Sequence, residues 1–139
     1  MKRVLFDTNL YVDWLNKGLH QELLVGPGLV RYLSAIVLME LRAGATARTA
    51  NKVFDQLLRP YLKAQRLIAP SSKLYDEAGE ILRELRGMGR DVRRAAIVHD
   101  ILIALTARGL GASLYTRDRK DFSVIANLSG AHVELVETS

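Results

Sequence analysis

Four carboxylates in this sequence stand where a carboxylate needs a partner. Asp7 ends the apolar run Val4-Leu5-Phe6 in VLFDTNLYV (4–12). Glu40 follows five nonpolar residues in AIVLMELRAGA (35–45). Asp100 is the only acid in AIVHDILIALTA (96–107), and no basic residue lies three or four positions from it. Asp118 comes two residues after the end of SLYT (113–116). Burying an ionised carboxylate is costly unless a cation or hydrogen bonds compensate it. Taken singly, Asp7 explains itself as a helix cap, Glu40 as a partner of Arg42, and Asp118 as a turn residue. Asp100 has no such local explanation, and one shared metal ion accounts for all four at once.

Other chemistries fit less well. His20, His99 and His132 show no zinc-ligand spacing, and His99 reads as a partly buried helix residue. The absence of cysteine removes thiolate zinc sites and disulfide frameworks. The sequence contains no G-x-S-x-G elbow and no glycine-rich phosphate loop. An aspartyl phosphatase would need a second Asp two residues after Asp7, where Asn9 stands. An all-oxygen set of this kind selects Mg²⁺ or Mn²⁺ over softer metals.

The elements that must position these acids follow from the apolar pattern. KRVLF (2–6) is a short apolar run of the type buried on both faces of a parallel sheet. Helical spacing follows through Leu10, Tyr11, Trp14 and Leu15, with Thr8 or Asn9 as the N-cap. LVRYL (29–33) is a second strand, and Ser34 caps a helix carrying Ile36, Val37, Glu40 and Leu41. Residues 49–64 form an amphipathic helix, RLIAP (66–70) a short strand or extended link, and Leu74 to Leu85 a further amphipathic helix. The stretch 90–112 is apolar nearly all round in its middle and predicts a central helix. ASLYT (112–116) is a strand, RDRKD (117–121) a polar turn, and AHVEL (131–135) an alternating edge strand. This alternation predicts an α/β fold with a mainly parallel sheet. In such sheets ligands bind outside the carboxyl ends of the strands, where Asp7 and Asp118 fall.

The chain, 139 residues long, is expected to form one domain over 1–139. Twenty Lys and Arg against fifteen Asp and Glu give a net charge of +5, a bias towards polyanions such as nucleic acid. Asp7 interrupts the first apolar stretch too early for a signal peptide, and no apolar run reaches the ~18 residues of a membrane span. A soluble, cytoplasmic protein is expected, with no membrane partner.

Read together, LFDTNLYV, SAIVLMELRAGA, HDILIALTA and LYTRDRKDF resemble the PIN domain, most closely the VapC-type ribonuclease toxins of toxin–antitoxin pairs. The resemblance spans essentially the whole chain. It implies a three-layer α/β/α fold around a parallel sheet and an acidic cluster that binds Mg²⁺ or Mn²⁺. Carried over position by position, the four acids are Asp7, Glu40, Asp100 and Asp118. Thr8, Asn9, Ser34 and Thr116 occupy the small polar positions that hydrogen-bond around the cluster. Many relatives keep instead the acid that precedes Phe122, so the fourth ligand is Asp118, Asp121, or the two sharing the work through water. Asp118 is favoured, because Asp121 reads as the N-cap of the next helix.

The implied activity is metal-dependent endonucleolytic hydrolysis of RNA. Asp7, Asp100 and Asp118 hold the ion, and Glu40 completes the cluster and orients the water. Arg42, Arg90, Arg93, Arg94, Arg117, Arg119 and Lys120 are candidates for gripping the RNA backbone. The resemblance further implies a homodimer held inactive by a cognate antitoxin. The alternative is a non-catalytic PIN scaffold that binds RNA or protein, distinguished by an incomplete acid set. Here the set is complete.

Overall fold

A computed structural model describes residues 1–137. The chain runs β1 (Lys2–Phe6), α1 (Thr8–Lys17), α2 (Gln21–Val25), β2 (Leu29–Ser34), α3 (Ala35–Gly44), α4 (Arg48–Lys63), β3 (Leu67–Ile68), α5 (Ser72–Gly87), α6 (Ala95–Leu110), β4 (Ser113–Thr116), α7 (Arg119–Ser129) and β5 (His132–Leu135). The strands form one sheet in the order β3-β2-β1-β4-β5, every pair parallel. Val4, Leu5 and Phe6 at its centre are buried on both faces, which is why β1 reads as an unbroken apolar run.

The chain steps outward from β1 to β2 and β3, then returns to the other side of β1 for β4 and β5. Right-handed crossovers put the helices before and after this reversal on opposite faces, giving three layers. α6 packs against β1, β4 and β5. Residues Ile101 to Ala107 of α6 are all buried, so its sequence needs apolar groups on nearly every side. The order reverses between β1 and β4, and the carboxyl ends of those two strands are the topological switch point where a doubly wound sheet opens a crevice.

Several local expectations need correction. Asp7 itself is the N-cap of α1, accepting the Thr8 N–H at 2.8 Å, rather than Thr8 or Asn9. The central helix begins at Ala95, not at 90: residues 90–94 form an irregular arm ahead of it. The segment 117–121 is only in part a turn, because α7 already starts at Arg119, and its N-cap is Asp118 rather than Asp121. The five-residue α2 was not expected, being too short for a helical period to show. Ser34 caps α3 as expected, accepting from the N–H groups of Ile36 and Val37 at 3.1 and 3.4 Å.

Candidate functional site

Asp7 leaves the end of β1 and is 5% exposed. Its backbone N–H still belongs to the sheet, donating to Tyr115 O on β4 at 2.9 Å. Its Oδ1 caps α1, and its Oδ2 accepts from Thr116 Oγ1 at 2.7 Å and from Asn9 Nδ2 at 3.2 Å. Thr116, fully buried, also accepts from Asn9 Nδ2 at 3.3 Å and from the Asp118 N–H at 3.1 Å. A hydroxyl has one proton and two lone pairs, so Thr116 is used completely. It ties together the ends of β1, α1 and β4.

One carboxylate oxygen from each of Asp100, Asp118 and Asp121 lies within 4.8 Å of the others. Asp118 caps α7 by accepting the Asp121 N–H at 3.3 Å, so these two acids share the first turn of that helix. Asp100 faces them from α6. Glu40 enters from α3, with Oε1 accepting from Thr8 Oγ1 at 2.6 Å and Oε2 lying 3.3 Å from His99 Nδ1.

The electrostatics bind these acids into one unit. Burial raises Asp7 above its ordinary range; the Thr116 and Thr8 hydrogen bonds pull it down, while the charges of Glu40 and Asp118 push it further up. Asp100 is pushed up to about 8, first by burial and then by the charges of Asp7, Asp118, Asp121 and Glu40. Four separate acids act on one carboxyl. Among the described residues they meet no equal positive charge: Arg94 touches Asp121 at 3.4 Å, and its side chain is 53% exposed.

The supporting residues divide. Thr8, Asn9 and Thr116 bond directly to Asp7 or Glu40. Ser34 bonds to the first turn of α3 and acts on the site only by setting the helix that carries Glu40. The arginines divide as well. Arg42 does not pair with Glu40: it bonds to Asp55 at 2.8 Å and to Asn51, and it stacks 4.3 Å above the Phe54 ring. Arg117 forks onto Asp13 at 2.9 and 3.2 Å. Arg93 pairs with Asp91, and Arg119 lies 3.8 Å from Glu137. Among the described residues, Arg90 and Lys120 make no ion pair.

Two features escaped the sequence. Asp13 on α1 is 8% exposed and takes both the Arg117 fork and His20 Nε2 at 3.0 Å. An apolar groove of about 360 Å³ runs between α1, α3 and α4, lined by Val12, Leu15, Leu41, Val53 and Phe54, with Glu40 also on its wall. The sequence carries no signal for the groove: that Val12 and Val53 stay 37% and 46% exposed on its wall depends on how the three helices pack.

A model of the PIN domain family matches residues 4–128. Among solved structures, a chain of VapBC2 from Rickettsia felis, crystallised with a DNA fragment from its promoter, is 27% identical, with a TM-score of 0.72 over 97% of this chain and 99% of that one. DNA-bound VapBC from Salmonella typhimurium is 21% identical, with a TM-score of 0.68 over 96% and 98%. VapBC-5 from Mycobacterium tuberculosis, a member of the VapBC toxin–antitoxin family, is 21% identical, with a TM-score of 0.63 over 99% and 100%. The last two show likeness of fold. No curated protein sequence matches.

Proposed function

Since this chain belongs to the PIN-domain family and has the VapC-type architecture, we propose that it is a metal-dependent endoribonuclease, the toxin of a VapBC-type toxin–antitoxin pair. The observation that carries this reading is the meeting of Asp7, Glu40, Asp100, Asp118 and Asp121 at the switch point of the sheet with no matching positive charge among the described residues. Such a set fits a hard divalent cation, Mg²⁺ or Mn²⁺, because its donors are all carboxylate oxygens and their mutual repulsion needs a cation to relieve it. Asp7, Asp100 and Asp118 would hold the ion, with Asp121 beside Asp118 as the remaining donor. Such an ion supplies Lewis-acid charge for a phosphodiester and lowers the pKa of water.

The chain's own residues supply the rest. Thr116 and Asn9 fix Asp7, and the α7 cap fixes Asp118. Glu40 is the acid left to orient a water and accept its proton. Arg90 and Lys120, which make no ion pair among the described residues, and the exposed Arg93 and Arg94, which touch Asp91 and Asp121, would hold an RNA backbone. Arg42 and Arg117 are instead each held by two hydrogen bonds, to Asn51 and Asp55 and to Asp13. The groove that ends on Glu40 suits an antitoxin segment with apolar residues for Val12, Leu15, Leu41 and Phe54 and a basic residue for the acids. A homodimer and a cytoplasmic location belong to the same reading.

Purified protein incubated with tRNA and ribosomal RNA should cut with Mg²⁺ or Mn²⁺ and not with EDTA. Co-expression with the product of the adjacent gene should yield a complex that no longer cuts. Binding without cleavage, across both metals, would make the chain a non-catalytic RNA-binding module. Failure of the adjacent product to bind or inhibit would remove the toxin assignment and leave the nuclease.

A further inference from the structure

His99 sits on α6 immediately before Asp100, and its ring crosses to α3 rather than staying on its own helix. Its Nδ1 lies 3.3 Å from Glu40 Oε2, while Thr8 Oγ1 donates to Glu40 Oε1 at 2.6 Å. The two oxygens of Glu40 are thus held by two elements that approach from different directions, α1 and α6. A glutamate has three side-chain torsions and seldom keeps one orientation when it is about 29% exposed, as Glu40 is. Two hydrogen bonds, one on each oxygen, remove the last freedom, the rotation of the carboxylate plane. A carboxylate can only accept, so the contact requires the hydrogen of a neutral imidazole to be on Nδ1.

We propose that His99 is a positioning residue for Glu40: its Nδ1–H bond, paired with that of Thr8, locks the carboxylate plane in one orientation. The role builds on the nuclease reading, but the contact itself does not depend on it. Free neutral histidine favours the hydrogen on Nε2, so an Nδ1–H tautomer at position 99 is a signature of this bond. The geometry also distinguishes substitutes. Asparagine places its amide nitrogen close to where Nδ1 stands, whereas glutamine reaches towards the Nε2 position.

Long-range ¹H–¹⁵N correlation spectra of the metal-free protein, above the titration of histidine, should show His99 protonated on Nδ1. In Glu40→Ala the proton should move to Nε2. In the cleavage assay His99→Ala should lower kcat about ten- to a hundredfold, with KM for RNA and the thermal midpoint nearly unchanged. His99→Asn should recover most of that loss and His99→Gln little of it. An Nε2–H tautomer in the wild type, or one that Glu40→Ala leaves unchanged, overturns the proposal. So does recovery by His99→Gln equal to that by His99→Asn. A wild type that never cuts defeats the nuclease reading, and the spectra then still decide whether His99 holds Glu40.

Discussion

Asp7 and Asp13 are buried carboxylates on the same helix, Asp7 as its cap and Asp13 six residues on, and the protein treats them in opposite ways. Burial works against the charge of both. At Asp13 the Arg117 fork and His20 overcome it, and the carboxyl lies below its ordinary range. At Asp7 the neighbours are more acids, and the carboxyl lies above its ordinary range, as does that of Asp100. One site is compensated from within the chain, and in the other the acids raise one another and leave room for a proton or a cation. A buried charge whose partner is built in is structural; a buried charge assembled with like charges marks a place where something must bind.

The sharpest way to break that contrast is to remove one charge from the uncompensated side. Asp7→Asn keeps the volume and an oxygen for the α1 cap. Folding should survive, while RNA cleavage with Mg²⁺ or Mn²⁺ falls by at least about a hundredfold, since each ~1.4 kcal/mol of lost transition-state stabilisation is tenfold in rate. RNA affinity, carried by the basic residues, should change little and keep its salt dependence. Cleavage at the wild-type rate would mean the cluster does no chemistry.

The same substitution on the two sides should give opposite signs of stability. Asp13→Asn leaves Arg117 and His20 with a poorer partner and should cost about 1–3 kcal/mol, at the low end because Arg117 is 42% exposed. Asp100→Asn removes the cost of keeping a proton on a buried carboxyl beside other acids. It should stabilise the metal-free protein near neutral pH by about 1 kcal/mol or more, a one-unit shift being worth ~1.4 kcal/mol. Urea denaturation of both variants in EDTA measures the pair. Two losses of equal size would erase the distinction.

A smaller effect follows for pH. Asp100 has a folded value of about 8 against an ordinary value of 3.8, so between those pH values the folded state keeps a proton the unfolded chain has lost. Stability of the metal-free protein should therefore fall as pH rises from about 4 to about 8, and Asp100→Asn should flatten that slope. Asp13 works in the other direction: its contribution is complete above 3.8 and is lost as pH falls through its depressed value. Thermal midpoints across this range, with and without saturating Mg²⁺, separate the two.

The fold was legible because its signals are local. The apolar runs 2–6 and 29–33 and the all-round apolar stretch about Asp100 mark buried parallel strands and a central helix, whatever they pack against. The acids were conspicuous for the same reason: Asp100 and Glu40 violate the pattern of their own segments. What remained hidden depends on contacts across the chain. Arg117 reaches Asp13 over 104 positions and His99 reaches Glu40 over 59, and nothing near any of these residues announces its partner. Arg42 looked free for RNA because Asp55 and Phe54 come from the next helix. The early start predicted for the central helix came from reading 90–94 as helical, where Val92 is the single apolar residue among Arg and Asp and no helical apolar face can form.

The central claim, that the acid cluster is a cation site whose repulsion is held in check by a proton on Asp100, is tested most directly by titrating Mn²⁺ into the protein by calorimetry at pH 7 in two buffers of different ionisation enthalpy. Binding must displace the proton that the metal-free cluster retains. The heats should differ between buffers by about one proton's worth per ion, and Asp100→Asn should abolish that difference along with most of the affinity. Binding with buffer-independent heats, or no binding at all, would contradict the account.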